Sequence, residues 1–579
     1  MKNLQKFLLI TSALLLSAPA QAASFTPIIP PATMQIAREA QARTVYEKPS
    51  SEVVRVGIAT TGFGTYDYKE ISIYGTGEIQ IYNDNNLIAK FPANNDIKIT
   101  YSNGMYSIYD NDGSLLDEVS GPVTFTCEDG LLGVTGLKRA GKNALYHGAF
   151  QLAAKNNNVF NLVNVIEVED YLKGVVPNEM PVRFGLEALK AQSVAARNYV
   201  LSPRTKSSAN YDVVDSVASQ VYYGANTETS VSDEAVLETT GIVALYGWDL
   251  ILAQYSSTAG GYTEDYAYAF SNPTTKAFPS EGKPYLVAKP DILSQRPLNT
   301  EEAAAEFYKS KPDSYDIRSP YFRWEREWTA EEFQKALEGT LAAQSATGFV
   351  TPAFQKGQTL GEIVSIDVKK RGESGKIVEL EITTSTGTYK VYKELVIRRL
   401  ITKDGKALPS ANVVFETQYD DDGKLVSIKA FGGGYGHGVG MSQYGAGFMG
   451  SELKLPYEKI LQHYYNGITL GTKPVIISAD ESQQEAVQHF YSSDKKAEIV
   501  VDNKFQVSKL IAEINGKEYE FELCKSFLPV NRICRIDISK HLKKGLNTVI
   551  FKYPLEEGSK KALRLFVEVE KSDGSGDIW

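Results

Sequence analysis

Two stretches of this sequence hold residue types at spacings that could do chemistry. The first runs Glu169-Asp170-Tyr171-Leu172-Lys173-Gly174-Val175-Val176-Pro177-Asn178-Glu179-Met180-Pro181 and continues into a segment rich in small residues, Glu187 to Arg197. Glu179 lies between Pro177 and Pro181, so its loop backbone is restricted on both sides and its carboxylate is aimed. Beyond it, Glu187, Lys190, Val194 and Arg197 fall at i, i+3, i+7 and i+10, which puts them on one face of a helix. A carboxylate desolvated by Pro and Met neighbours and faced by Lys190 and Arg197 can be held as a general acid near neutral pH. The same spacing fits an exposed loop glutamate beside helix salt bridges worth well under about 1 kcal/mol each. Spacing alone does not choose between them.

The second stretch is Phe431-Gly432-Gly433-Gly434-Tyr435-Gly436-His437-Gly438-Val439-Gly440-Met441-Ser442-Gln443-Tyr444-Gly445. Glycines this dense permit close backbone approach to a ligand or to another strand. Tyr435, His437, Gln443 and Tyr444 interleave aromatic and polar groups, a mixture suited to stacking on sugars and hydrogen-bonding them. Packing of the glycines against a helix explains the run equally well. It is no phosphate loop, because no Gly-Lys-Ser/Thr follows and the G-x-G-x-x-G spacing is missed. Ser442 does not stand in a G-x-S-x-G elbow, which weakens a serine hydrolase reading through Ser442 and His437. Cys524 and Cys534, ten residues apart, fit either a small disulfide loop in an oxidising compartment or two buried thiols.

These residues need elements to hold them. Short strand-like runs such as Val53–Ile58, Glu70–Tyr74, Glu78–Tyr82 and Ile97–Tyr101, broken by Asn/Asp/Gly turns, predict an all-β domain over residues 53–139. Helical patterns are expected at 186–200, 300–309, 329–345 and 457–465. Strands are expected over 144–166, 361–396, 413–429 and, beyond 480, at 497–501, 510–514, 548–552 and 563–569. The residues from 538 to 549 are similar to the edge of galactose-binding-like jelly rolls, which suggests a β-sandwich over 480–579.

Together the two stretches resemble the signature of the SpoIID/LytB family, named for a sporulation peptidoglycan enzyme and an amidase enhancer. Tyr255-Ser256-Ser257-Thr258-Ala259-Gly260-Gly261, Pro284-Tyr285-Leu286-Val287 and His463-Tyr464-Tyr465-Asn466-Gly467 agree with it in the family's order. The resemblance covers residues 140–475, with an insertion of mixed helices at about 291–360. It implies an α+β catalytic domain inside a mostly β, multi-domain chain. It further implies a lytic transglycosylase that cuts bacterial cell-wall glycan strands stripped of stem peptides, with Glu179 as the acid. Lys190 and Arg197 would orient it or contact substrate, and Tyr435, His437, Gln443 and Tyr444 would line the groove. The amidase-enhancer name implies a rival: a non-catalytic glycan binder that recruits or stimulates a cell-wall amidase. Some members bind zinc through Cys and His after the catalytic helix. Residues 211–223 contain neither, so no metal and no cofactor is expected.

Length and composition agree with an exported, folded chain. At 579 residues it is too long for one core and suggests about three or four domains of ~150 residues. A 43% hydrophobic fraction excludes a largely disordered chain. A net charge of −9 without a Lys/Arg block argues against nucleic acid as a partner. Lys2 and Lys6, an apolar run from Phe7 to Leu16, and Ala20-Gln21-Ala22 read as a cleaved secretory signal, 1–22, followed by a leader over 23–52. The expected location is extracytoplasmic, with no membrane span after cleavage.

Overall fold

The computed structural model describes residues 52–203, 207–291, 296–480, 483–525, 532–554 and 561–570. The expected export signal, 1–22, and nearly all of the expected leader, 23–52, lie outside them. The chain is mostly strands, in several sheets, with a minority of helices. It divides into two compact units. One comprises residues up to Pro181 together with Pro203–Leu237, the other Val182–Ser202 together with everything from Glu238 onward.

In the first unit, alternating apolar residues build two antiparallel sheets. A seven-stranded sheet runs in the order Val213–Val214, Val53–Ile58, Val159–Glu167, Ala149–Asn156, Val123–Glu128, Glu78–Asn83, Asn86–Phe91. A six-stranded sheet contains Lys142–Tyr146, Leu132–Arg139, Glu70–Gly75, Ile97–Ser102, Met105–Tyr109 and Leu115–Val119. Tyr106, Phe125, Phe150 and Phe160 are fully buried here. Strand pairing crosses position 139/140, where the sequence reading drew a boundary. Val53–Ile58 pairs with Val159–Glu167, and Val123–Glu128 with Ala149–Asn156. The 140–167 strands therefore complete sheets begun by 53–139, and no linker separates them. Only the last strand of the seven, Val213–Val214, pairs in parallel.

In the second unit the helix Leu186–Leu201 is buried all round from Ala191 to Asn198. A large apolar core joins Trp324 and Trp328, the helix Ala330–Ser345, and strands from Ile363 to Ile428. The core passes across residue 360 without a break, so residues 324–360 are not a self-contained insertion ending there. Two helix starts follow from their caps. Thr300 accepts the Ala303 N–H ahead of Glu301–Lys309, and Thr329 forms a capping box with Glu332 ahead of Ala330–Ser345. One sequence expectation fails at 394–396, where a strand was extended to Val396. Glu394–Leu400 is instead a helix, with Arg398 reaching back to Glu394 at i−4 over 2.8 Å.

The C-terminal strands form a four-stranded sheet, Glu485–Ser492, Gly545–Lys552, Lys509–Ile514, Lys517–Glu522. The others, Glu498–Asp502, Ile533–Asp537 and Ala562–Glu570, join a sheet that also holds Val243–Tyr246 and Thr469–Gly471. The C-terminal region thus shares a sheet with the residues before 480 rather than closing on itself. A disulfide joins Cys524 to Cys534, with Cα atoms 5.6 Å apart.

Candidate active site

Glu179 is the last residue of a single helical turn, Val176–Glu179, and not of an open loop. Pro177 sits in the first turn, where its missing N–H costs nothing. Glu179 keeps part of its surface open to solvent, yet protein crowds its carboxyl. Val221 N–H donates to Glu179 Oε1 at 2.7 Å. Burial pushes the Glu179 pKa from the usual 4.5 up to about 7, and the Val221 bond pulls it partly back. A carboxyl of that kind carries its proton in much of the population near neutrality.

The segment bearing Val221 is fixed from several sides within the same unit. Asp215 is fully buried and paired with buried Arg139 at 2.5 Å, and Tyr222 N–H donates to the Asp215 carbonyl at 3.4 Å. Tyr222 donates its hydroxyl to Asn164 Oδ1 at 2.8 Å. Asn178 Nδ2 donates to the Gly174 carbonyl and to Thr227 Oγ1, both at 2.7 Å. Gly174 is where the two pieces meet. A Cβ there would lie 2.6 Å from the Tyr222 ring and 2.7 Å from the Gly224 carbonyl oxygen.

The remaining sequence-selected residues belong to the second unit. Lys190 is bracketed by Glu187 at 2.8 Å and Glu238 at 2.6 Å. Burial works against its charge, but those two carboxylates outweigh it and hold its pKa above the usual value. Arg197 is 1% exposed and donates to the Ile242 carbonyl at 2.9 Å and to Thr239 Oγ1. Both side chains fasten the helix Leu186–Leu201 to the segment 238–242. Gln443 Nε2 donates to Gln192 Oε1 of the same helix at 3.1 Å, and the Tyr444 ring meets Phe184 edge-on at 4.9 Å.

The glycine run has a backbone cause. Gly434, Gly436, Gly438 and Gly440 all have positive φ. A Cβ on Gly440 would lie 2.1 Å from the Gln254 carbonyl oxygen. The loop lies directly on residues 254–259, bridging Thr258 to Tyr435 and pairing Tyr255 with Met441. His437 Nδ1 accepts the Val439 N–H at 3.1 Å, and burial holds its pKa down at about 4, so the ring is neutral. Tyr435 packs on Tyr321 with centroids 4.4 Å apart. Ser442 is fully buried and caps the helix Gln443–Ser451, its oxygen accepting the Gly445 N–H. A Ser442 hydroxyl buried and engaged in that way is not set up as a nucleophile.

A second acid shares the elevated pKa. Glu264 is pushed to about 7 by burial, against Lys376 and the Ser374 hydroxyl. It is 0% exposed, and Ser374 Oγ and the Asp265 N–H donate to it. An elevated pKa is therefore not what separates Glu179 from Glu264; access to solvent is. Among the described residues, no group of three or more His, Cys, Asp or Glu is arranged to hold a metal ion.

Comparison with known proteins places these features. Residues 156–246, which span Glu179, the helix after it and Val221, match the model described as stage II sporulation protein (SpoIID). Residues 272–440 match a domain of unknown function, DUF8618. The stage II sporulation protein D of Bacillus subtilis is 30% identical over 325 residues, 53% of this chain and 76% of that protein. This chain belongs to the SpoIID family. The amidase enhancer of B. subtilis is 34% identical over 304 residues, 52% of this chain but only 40% of that protein. The stage II sporulation protein D of Bacillus amyloliquefaciens is 28% identical over 332 residues. A SpoIID relationship implies a cell-wall role. Among the described residues no helix is long and apolar enough to cross a membrane.

Proposed function

We propose that this SpoIID member is an exported lytic transglycosylase acting on cell-wall glycan strands, with Glu179 as its single acid and base. The observation that carries the reading is the state of Glu179: partly open to solvent, held by Val221, and with a pKa raised to about 7. Hydrolytic glycosidases need two carboxylates, one to protonate the leaving oxygen and one as nucleophile or base. A lytic transglycosylase needs one. Glu179 gives its proton to the oxygen joining N-acetylmuramic acid to N-acetylglucosamine, and the bond to the anomeric carbon breaks. The muramic acid's own C6 hydroxyl attacks that carbon, and the Glu179 carboxylate takes the hydroxyl's proton. A 1,6-anhydro end results, the proton is returned, and no water is consumed.

The kinship with a protein named amidase enhancer supports a second reading, in which the chain binds glycan and stimulates an amidase without cutting. Fold membership does not guarantee activity. Incubating the purified chain with peptide-stripped glycan strands and reading the products by mass separates the two. Anhydro-ended fragments support the transglycosylase. Bound but intact strands, with added amidase working faster, support the enhancer.

A further inference from the structure

The region matching a domain of unknown function gathers cations that the chemistry above does not use. Its buried Glu394 is already taken by Arg398 at 2.8 Å, and Arg398 Nε also donates to the Leu408 carbonyl at 3.1 Å. Three further cations surround that pair. Lys393, the residue before the helix Glu394–Leu400, lays its ammonium over the Phe349 ring at 4.7 Å and donates to Ser271 Oγ at 2.9 Å. Phe278 meets Phe349 edge-on at 6.3 Å, which with the Ser271 bond draws the 271–278 loop onto the same spot. That loop carries Lys276, whose Nζ donates to the Pro273 carbonyl at 2.9 Å. Arg399, in the last turn of the helix, is exposed, and among the described residues its guanidinium has no acceptor.

Among the described residues no carboxylate lies within ion-pair distance of Lys276, Lys393 or Arg399. Like charges thus converge without a counter-ion, in a chain whose net charge is −9. Their nearness leaves a mark: burial, Lys276 and Arg399 hold the Lys393 pKa below its usual value against the pull of Glu394. The backbone adds a cost, since φ is 62° at Lys276 and 74° at Lys393, a region that bulky side chains rarely adopt. Repulsion and strain at one place point to a ligand that relieves the first.

The donors narrow the anion. Arg399 offers a planar fork, and Lys276 and Lys393 offer compact point charges. Ser271 accepts from Lys393, so its own hydroxyl hydrogen is left to donate. Donors from several directions suit a tetrahedral phosphate, whereas one guanidinium fork already satisfies a planar carboxylate. We propose that Lys276, Lys393 and Arg399, with Ser271, form a binding site for a phosphate group. The site stands apart from the Glu179 chemistry and gives the 272–440 region a ligand of its own.

The test measures binding by the full chain and by Lys393→Gln, Arg399→Gln and, as a charge control, the exposed Lys496→Gln. The probes are a poly(glycerol phosphate) oligomer, inorganic phosphate, and polygalacturonate matched to the oligomer in charge. Melting temperatures confirm that each variant is folded. A phosphate probe should bind more tightly than polygalacturonate and weaken as salt is added. Lys393→Gln and Arg399→Gln should each weaken it about tenfold, and Lys496→Gln should not. Inorganic phosphate binding as tightly as the oligomer would support the site and assign it to the free ion. Tighter binding of the oligomer would support it and assign it to a phosphodiester chain. Polygalacturonate binding as tightly as the phosphate probes, no binding of either phosphate probe, or both variants within twofold of the parent would overturn it. None of these outcomes touches the anhydro products expected from Glu179.

Discussion

At the scale of single residues, Glu179 could be singled out from the sequence, but its surroundings could not. Glu179 stood out because two prolines flank it and a helix of small residues follows. Its partner Val221 is a backbone N–H 42 positions away, which no side-chain pattern advertises. Lys190 and Arg197 do lie on one helix, but their partners Glu238 and Ile242 come from a later segment that spacing cannot reveal. The raised Glu179 pKa has a sign that can be measured. Donating a proton requires the acid form, so turnover should fall as pH rises through about 7 and Glu179 ionises. Stability moves the same way. A carboxyl whose folded pKa exceeds its unfolded value weakens the fold progressively as pH rises between the two. Glu179→Gln should therefore melt higher than wild type at about pH 8, and the difference should shrink toward about pH 4.5. A constant difference across that range would show that burial does not perturb this group.

At the scale of elements, local signals worked where one segment decides its own structure. The helices expected at 300–309 and 329–345 form as expected, and the structure shows them starting on Thr300 and Thr329, since an N-cap needs only its own first turn. Glu394–Leu400 was misread because Leu395, Val396 and Ile397 look strand-forming, and tertiary packing overrides that weak preference. The glycine run could be seen but not explained, since its cause is the 254–259 backbone lying against it. The contact of Gly174 with Tyr222 yields a test of how the acid is held. Gly174→Ala must displace Tyr222, the neighbour of Val221, at a cost of about 1–3 kcal/mol. Loosening the Val221 bond also removes what lowers the Glu179 pKa, so the alkaline limb of the rate profile should move upward. An unshifted limb in a folded variant would mean that Val221 does not tune the acid. Arg197→Ala leaves the Ile242 carbonyl without its buried donor and should cost about 2–3 kcal/mol, read as a lower denaturant midpoint.

At the scale of the whole molecule, the mostly β character followed from alternation and turns, but the partition did not. Which strands pair is set by contacts between residues far apart in sequence, as when Val53–Ile58 joins Val159–Glu167. A boundary drawn from composition at 139/140 therefore cut through two sheets. Two predictions belong here. Unfolded without reductant, the chain should show one reactive thiol, Cys127, because Cys524 and Cys534 are joined; three would deny the bond. Turnover should also survive strong chelation, since residues 211–223 supply no Cys or His. Loss with EDTA and recovery with zinc would contradict that. The most direct test of the central claim is product analysis of Glu179→Gln on peptide-stripped glycan strands, read by mass beside wild type. Gln keeps the size of Glu and can neither give nor take the proton, and groups in that role contribute on the order of 10²–10⁴-fold. The account predicts anhydro-ended products from wild type, their disappearance in the variant, and retained binding to insoluble wall. Near-normal anhydro ends from a folded Glu179→Gln would contradict it.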